Sequence, residues 1–133
     1  MTTIINANTS AGLTQTADTS GIIKVQSNGV TTNALAWVNF NGTGTVAIRS
    51  SYNVSSITDN GTGDYTVNFT NALSDANYSI SGSCNINTTG SSGRIFSAPK
   101  SAAPTTSAIR VATASAANTL EDQEYVCVAI FGN

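Results

Sequence analysis

Alternation is the property that most limits what this chain can become. Tyr65, Val67 and Phe69 alternate with Thr66, Asn68 and Thr70, and further on Tyr78, Ile80 and Gly82 alternate with Ser79, Ser81 and Ser83. A period of two places apolar side chains on one face of a pleated strand and hydroxyls and amides on the other. Between Ile57 and Tyr65 runs Asp59-Asn60-Gly61-Thr62-Gly63-Asp64, whose Asn-Gly and second glycine supply the positive φ of a tight turn. The segment therefore reads as a β-hairpin followed by a third strand.

The same pattern recurs along most of the chain. Ile22 to Gln26 reads as a short strand ending in the turn Ser27-Asn28-Gly29. Leu35 to Phe40 reads as a strand with Leu35 and Trp37 on one face and Ala36, Val38 and Phe40 on the other. Asn41-Gly42-Thr43-Gly44 turns the chain into Val46 to Tyr52. Asn87 to Gly93 is a Gly/Ser/Thr-rich loop, and a strand over Arg94 to Ala98 is stopped by Pro99 and Pro104. Ser107 to Thr113 regains alternation, and Ala114 to Glu124 is expected to be a loop. Tyr125 to Phe131 is apolar on both sides, which predicts burial on both sides: a central strand, or one covered by another subunit. Eight or nine short strands at about ten-residue spacing predict an all-β fold, an antiparallel, jelly-roll-like β-sandwich. Residues 1–20 offer only Ile4, Ile5 and Leu13 as large apolar side chains, too few for a core layer, and are expected to form an extended arm. The division is thus an arm over 1–20 and one sandwich domain over 21–133.

Composition narrows the function. In 133 residues charged side chains make up only 9%, against about 25% in an ordinary domain. One explanation is a β-protein that uses Thr in strands and Asn, Ser and Gly in turns. The other, compatible with it, is a subunit whose surface is covered by neighbours, where few charges need desolvating. Net charge is −2, and Lys24, Arg49, Arg94, Lys100 and Arg110 are scattered, which argues against nucleic-acid binding. No stretch is apolar for long enough to span a membrane as a helix. Met1-Thr-Thr-Ile-Ile-Asn lacks the basic and apolar regions of a secretory signal. Cys84 and Cys127 are expected to be reduced, buried thiols, with a bridge open only if their strands are neighbours.

Chemistry has few carriers. Histidine is absent, which removes the commonest general base and every Ser-His-Asp or Cys-His arrangement. Asp59 and Asp64 flank a hairpin tip where solvent should keep both ionised, unlike a glycosidase pair. The same DNGTGD carries hard oxygen ligands but lacks the twelve-residue calcium-loop pattern, so a plain turn is expected and no cofactor or metal. Glu121, Asp122 and Glu124 form the one acidic cluster, expected to lie in solvent. Trp37 is expected in the core; stacking on a sugar is its alternative. Asn-X-Ser/Thr triplets such as those at Asn53 and Asn68 arise by chance in so Asn-rich a chain. No enzymatic activity is expected.

Three stretches carry a resemblance: AWVNFNGTGTVAIR, YNVSSITDNGTGDYTVNF and the YVCVAIFGN that follows Glu124. They are similar to β-rich domains that recur in virion proteins of tailed bacteriophages, where they serve as tail fibres, head fibres or decoration proteins. The opening TTIINANTSAGLTQTADTSG resembles the amino-terminal stretch of fibre-type proteins. The resemblance implies a homotrimer on the virion surface, assembled in the host cytoplasm. The leading expectation is a capsid decoration or cement protein, or a short head fibre, whose arm (Ile4, Ile5, Leu13) orders along the major capsid protein or another virion protein. The alternative is a trimeric tail-fibre or tail-tip module that binds a host surface glycan or receptor.

Overall fold

A computed structural model describes residues 25–27, 30–85, 93–99 and 101–132. The expected arm, with Ile4, Ile5 and Leu13, lies outside the described residues, as do most of the first expected strand and of the Asn87–Gly93 loop. Ten strands follow in order: β1 (Gln26–Ser27), β2 (Val30–Thr31), β3 (Ala36–Asn41), β4 (Ala47–Tyr52), β5 (Val54–Gly61), β6 (Asp64–Phe69), β7 (Ser79–Cys84), β8 (Arg94–Ser97), β9 (Ala108–Ser115) and β10 (Val126–Phe131). The two-residue β1 and β2 pair only with each other. The other eight form two antiparallel four-stranded sheets, ordered β4-β3-β10-β7 and β5-β6-β9-β8. The fold is an all-β sandwich. Among the described residues no helix is long and apolar enough to cross a membrane.

The core lies between the sheets because each strand turns one alternate set inward. Ala36, Val38 and Phe40 of β3 meet Val126, Val128 and Ile130 of β10 from the first sheet; Tyr65, Val67 and Phe69 of β6 and Ile109 and Val111 of β9 close it from the second. The aromatic rings lock the layers edge to face: Phe40 on Tyr65 at 5.1 Å and Phe69 on Tyr78 at 6.0 Å between centroids, an arrangement the ring quadrupoles favour. Phe96 of β8 packs across the sandwich onto β7 where Gly82 leaves room; a Cβ there would lie 2.3 Å from its ring.

The chain changes sheets at Asn53, which adopts a left-handed φ of 54°. Asparagine tolerates that region because its short amide bonds locally. Its Nδ2 donates to Leu35 O at 3.1 Å and Asn71 O at 3.2 Å, while its Oδ1 accepts from Asn71 N at 2.8 Å. One side chain thus fastens the corner to the entrance of β3 and the exit of β6. The hairpin turn is tighter than the sequence suggests: β5 runs on to Gly61 and Asp64 opens β6, leaving Thr62 and Gly63 as the loop. Positive φ falls on the two glycines, 127° at Gly61 and 65° at Gly63.

One reading of the sequence is corrected here, and another holds in part. Trp37 does not pack in the core; it is 39% exposed, on the side of β3 opposite Phe40. Leu35, grouped with it by parity, is buried, because it precedes the strand and alternation does not bind it. β10 is central, between β3 and β7, yet only its inner row is buried. Phe131 and Tyr125 on the outer side remain 38% and 45% exposed, since the described residues form no third layer over them.

Candidate functional site

The outer faces of the two sheets differ in kind. On the second sheet the outward residues of β5 and β6 are hydroxyls, amides and a carboxylate that bond one another and Arg110, while Ala108, Ala112, Ala114 and Ile95 continue that face on β9 and β8. Asn68 Nδ2 donates to Ser56 Oγ at 3.1 Å and Thr58 Oγ1 at 3.0 Å, and Asn60 Nδ2 donates to Thr66 Oγ1 at 2.9 Å. Arg110 grips Asp64 through Nε to Oδ1 at 2.7 Å and through Nη2 to Oδ2. That guanidinium holds the Asp64 carboxyl below its ordinary value, against a smaller upward push from burial. A general acid needs the opposite shift, and the Asp59 carboxylate accepts from Gly61 N at 2.9 Å, so the pair serves the turn.

The acidic cluster is not loose in solvent; each of its members ties a loop to the sandwich. Asp122 Oδ1 accepts from the Tyr65 hydroxyl at 2.9 Å and from Gly63 N at 2.7 Å. Burial, then the Asp122 carboxylate, push the Tyr65 phenol well above its usual range. Glu121 meets Arg94 at 3.2 Å, and its backbone carbonyl accepts from Thr113 Oγ1 at 2.6 Å. A register shift between β3 and β4 frees Arg49 from an opposite residue. Its guanidinium then stacks 4.1 Å above the Tyr125 ring and donates to Glu124 O at 2.6 Å. Among the described residues no group of three or more cysteine and carboxylate side chains is placed to hold a metal.

The outer face of the first sheet is aromatic and uncharged at its centre. Register fixes the layout: Trp37, Ala129 and Ser81 lie side by side across β3, β10 and β7, and Asn39, Cys127 and Ser83 form the next row. The indole stands tall beside the small Ala129 and Cys127, so a groove of about 320 Å³ opens between Trp37 and the serines. Asn39 Nδ2 donates to Cys127 Sγ at 3.3 Å, while its Oδ1 is shielded from solvent without a hydrogen-bond partner. An acceptor left so costs roughly 1–3 kcal/mol, and because solvent does not reach it, a ligand in the groove does not reach it either.

The cysteines occupy neighbouring strands, yet the register separates them. Cys84 lies opposite Val126 and faces inward, while Cys127 lies opposite Ser83 and faces outward. Both thiols are free and only half-buried rather than fully buried. Desolvation raises the Cys84 thiol above its ordinary value, with Arg94 opposing it weakly.

Sequence reasoning missed the face that Trp37 dominates. A usable signal was present: the partner strands carry Ala129, Cys127, Ser81 and Ser83 on the matching parity, all too small to bury an indole. Of the residues first singled out as partner-binding, Ile4, Ile5 and Leu13, none falls among the described residues. No protein-family model, no curated protein and no solved structure matches this chain.

Proposed function

We propose that the chain is a non-catalytic structural module on the surface of a tailed-phage particle, a capsid decoration protein or short head fibre. The observation that carries this reading is the unequal pair of outer faces. One carries a polar network across β5, β6 and Arg110; the other leaves Trp37, Tyr125 and Phe131 half-exposed on a rigid sheet. Trp37 and Phe131, whose rows lie two residues apart on that face, give it the aromatic exposure that favours a contact surface. Carboxylates committed to loops and ion pairs favour a scaffold over a site that moves protons. Attachment falls to the amino-terminal residues, with Ile4, Ile5 and Leu13 along a shell protein, and self-association to a homotrimer follows from the sequence resemblance.

A tail-fibre or tail-tip module is the second reading, and the groove beside Trp37 favours it. Quantitative mass spectrometry of purified particles separates the two. Shell symmetry demands roughly hundreds of copies per particle for a decoration protein, and about a dozen or two for a tail component. Absence from purified particles overturns both.

A further inference from the structure

We infer that the groove between Trp37 and the Ser81–Ser83 edge of β7 binds a neutral saccharide one or two rings long. This rests on reading the first sheet's outer face as a contact surface, and it names what that face contacts.

The lining has the two chemistries a sugar requires. A pyranose presents a C–H face, which packs on an aromatic ring, and a rim of hydroxyls that donate and accept hydrogen bonds. Trp37 supplies the ring on one side. On the other, the Ser81 and Ser83 hydroxyls stand exposed and make no hydrogen bond among the described residues. The rows of Trp37 and Asn39 lie two residues apart along β3, about 6.7 Å, and the two serines repeat that step on β7. This spacing places hydroxyl partners at both ends of a ring seated over Ala129 and Cys127. A groove of 320 Å³ stands at the lower end of small-ligand sites, which run from roughly 300 to 1,000 Å³.

Other occupants fit less well. Among the described residues no charged side chain lines the groove, so a phosphate, carboxylate or cation would be desolvated without a counter-charge from them. An aliphatic ligand would bury the Ser81 and Ser83 hydroxyls without partners. The walls belong to β3, β10 and β7 and are held by the core, so the site is preformed and needs no ordering on binding.

Trp37 is the only tryptophan in the chain, so its emission reports the groove directly. Purified full-length protein is titrated with a panel of neutral mono-, di- and trisaccharides (glucose, galactose, mannose and N-acetylglucosamine series) up to about 10 mM, above the roughly millimolar affinity of a shallow site. At least one series shifts the emission to the blue and saturates, and calorimetry gives the same constant. Trp37→Ala weakens calorimetric binding at least tenfold, Trp37→Phe restores part of it, and Ser81→Val with Ser83→Val abolishes it while the melting temperature holds. No response across the panel overturns the inference, as does binding that survives Trp37→Ala. Emission that shifts with protein concentration and ignores every saccharide overturns it too, and assigns the face to a second copy. Failure of the virion reading looks different: a protein that binds sugar yet is missing from particles keeps the groove and loses the particle.

Discussion

Trp37 and Phe40 share β3 and face opposite sides of it, and the contrast in their surroundings sets the cost of losing each. Phe40 is fully buried against Tyr65, so Phe40→Ala removes about 3–5 kcal/mol in chemical denaturation. Trp37→Ala costs under about 1 kcal/mol, because its ring is not part of the core. Equal losses would place the indole in the interior after all. At Asp64 the expected effect depends on pH. Its folded pKa lies below the ordinary value because Arg110 favours the carboxylate. The stabilisation is therefore complete above the unfolded pKa near 4 and disappears as pH falls through the lower folded value. Asp64→Asn should lower the melting temperature at neutral pH and flatten its fall on acidification; an unchanged acid profile would remove Asp64 from the cause.

At the scale of elements, two left-handed glycines in separate turns should respond differently to the same methyl group. Gly63 has φ 65°, and a Cβ there would sit 2.4 Å from Thr113 O and 2.6 Å from Glu121 N. Gly44 has φ 58° but open space around it. Gly44→Ala should cost only the backbone penalty, about 1 kcal/mol, whereas Gly63→Ala adds a backbone clash and should exceed about 2 kcal/mol. Comparable midpoints in urea would refute the role given to the Gly63 turn. Most strands were legible because Tyr65–Phe69 and Ser107–Thr113 alternate cleanly, and the hairpin because glycines punctuate it. Where both parities are apolar, as in β3 and β10, alternation locates the strand but not its inner face. The partners of Glu121, Asp122 and Glu124 were invisible for another reason. Asp122 finds Tyr65 57 residues away and Glu124 finds Arg49 75 away, and no local pattern encodes such a meeting.

At the scale of the molecule, the buried hydrophobic side chains among the described residues run from Leu35 to Ile130. Deleting residues 1–20 should leave the melting temperature within about 1 °C; a fall of several degrees would show that the segment packs on the sandwich. If Ile4, Ile5 and Leu13 anchor the protein to a shell, the truncated domain folds but no longer joins particles. The position of β10 governs how the protein is made. It fits between β3 and β7 but follows both in the chain. On the ribosome the strands of the second sheet are all synthesised before it, while β3 and β7 wait with facing edges unpaired. A nascent chain stalled before Val126 would thus expose two ready templates for a foreign strand. Loss to aggregates then depends on how long those two edges stay open as well as on the stability of the finished domain.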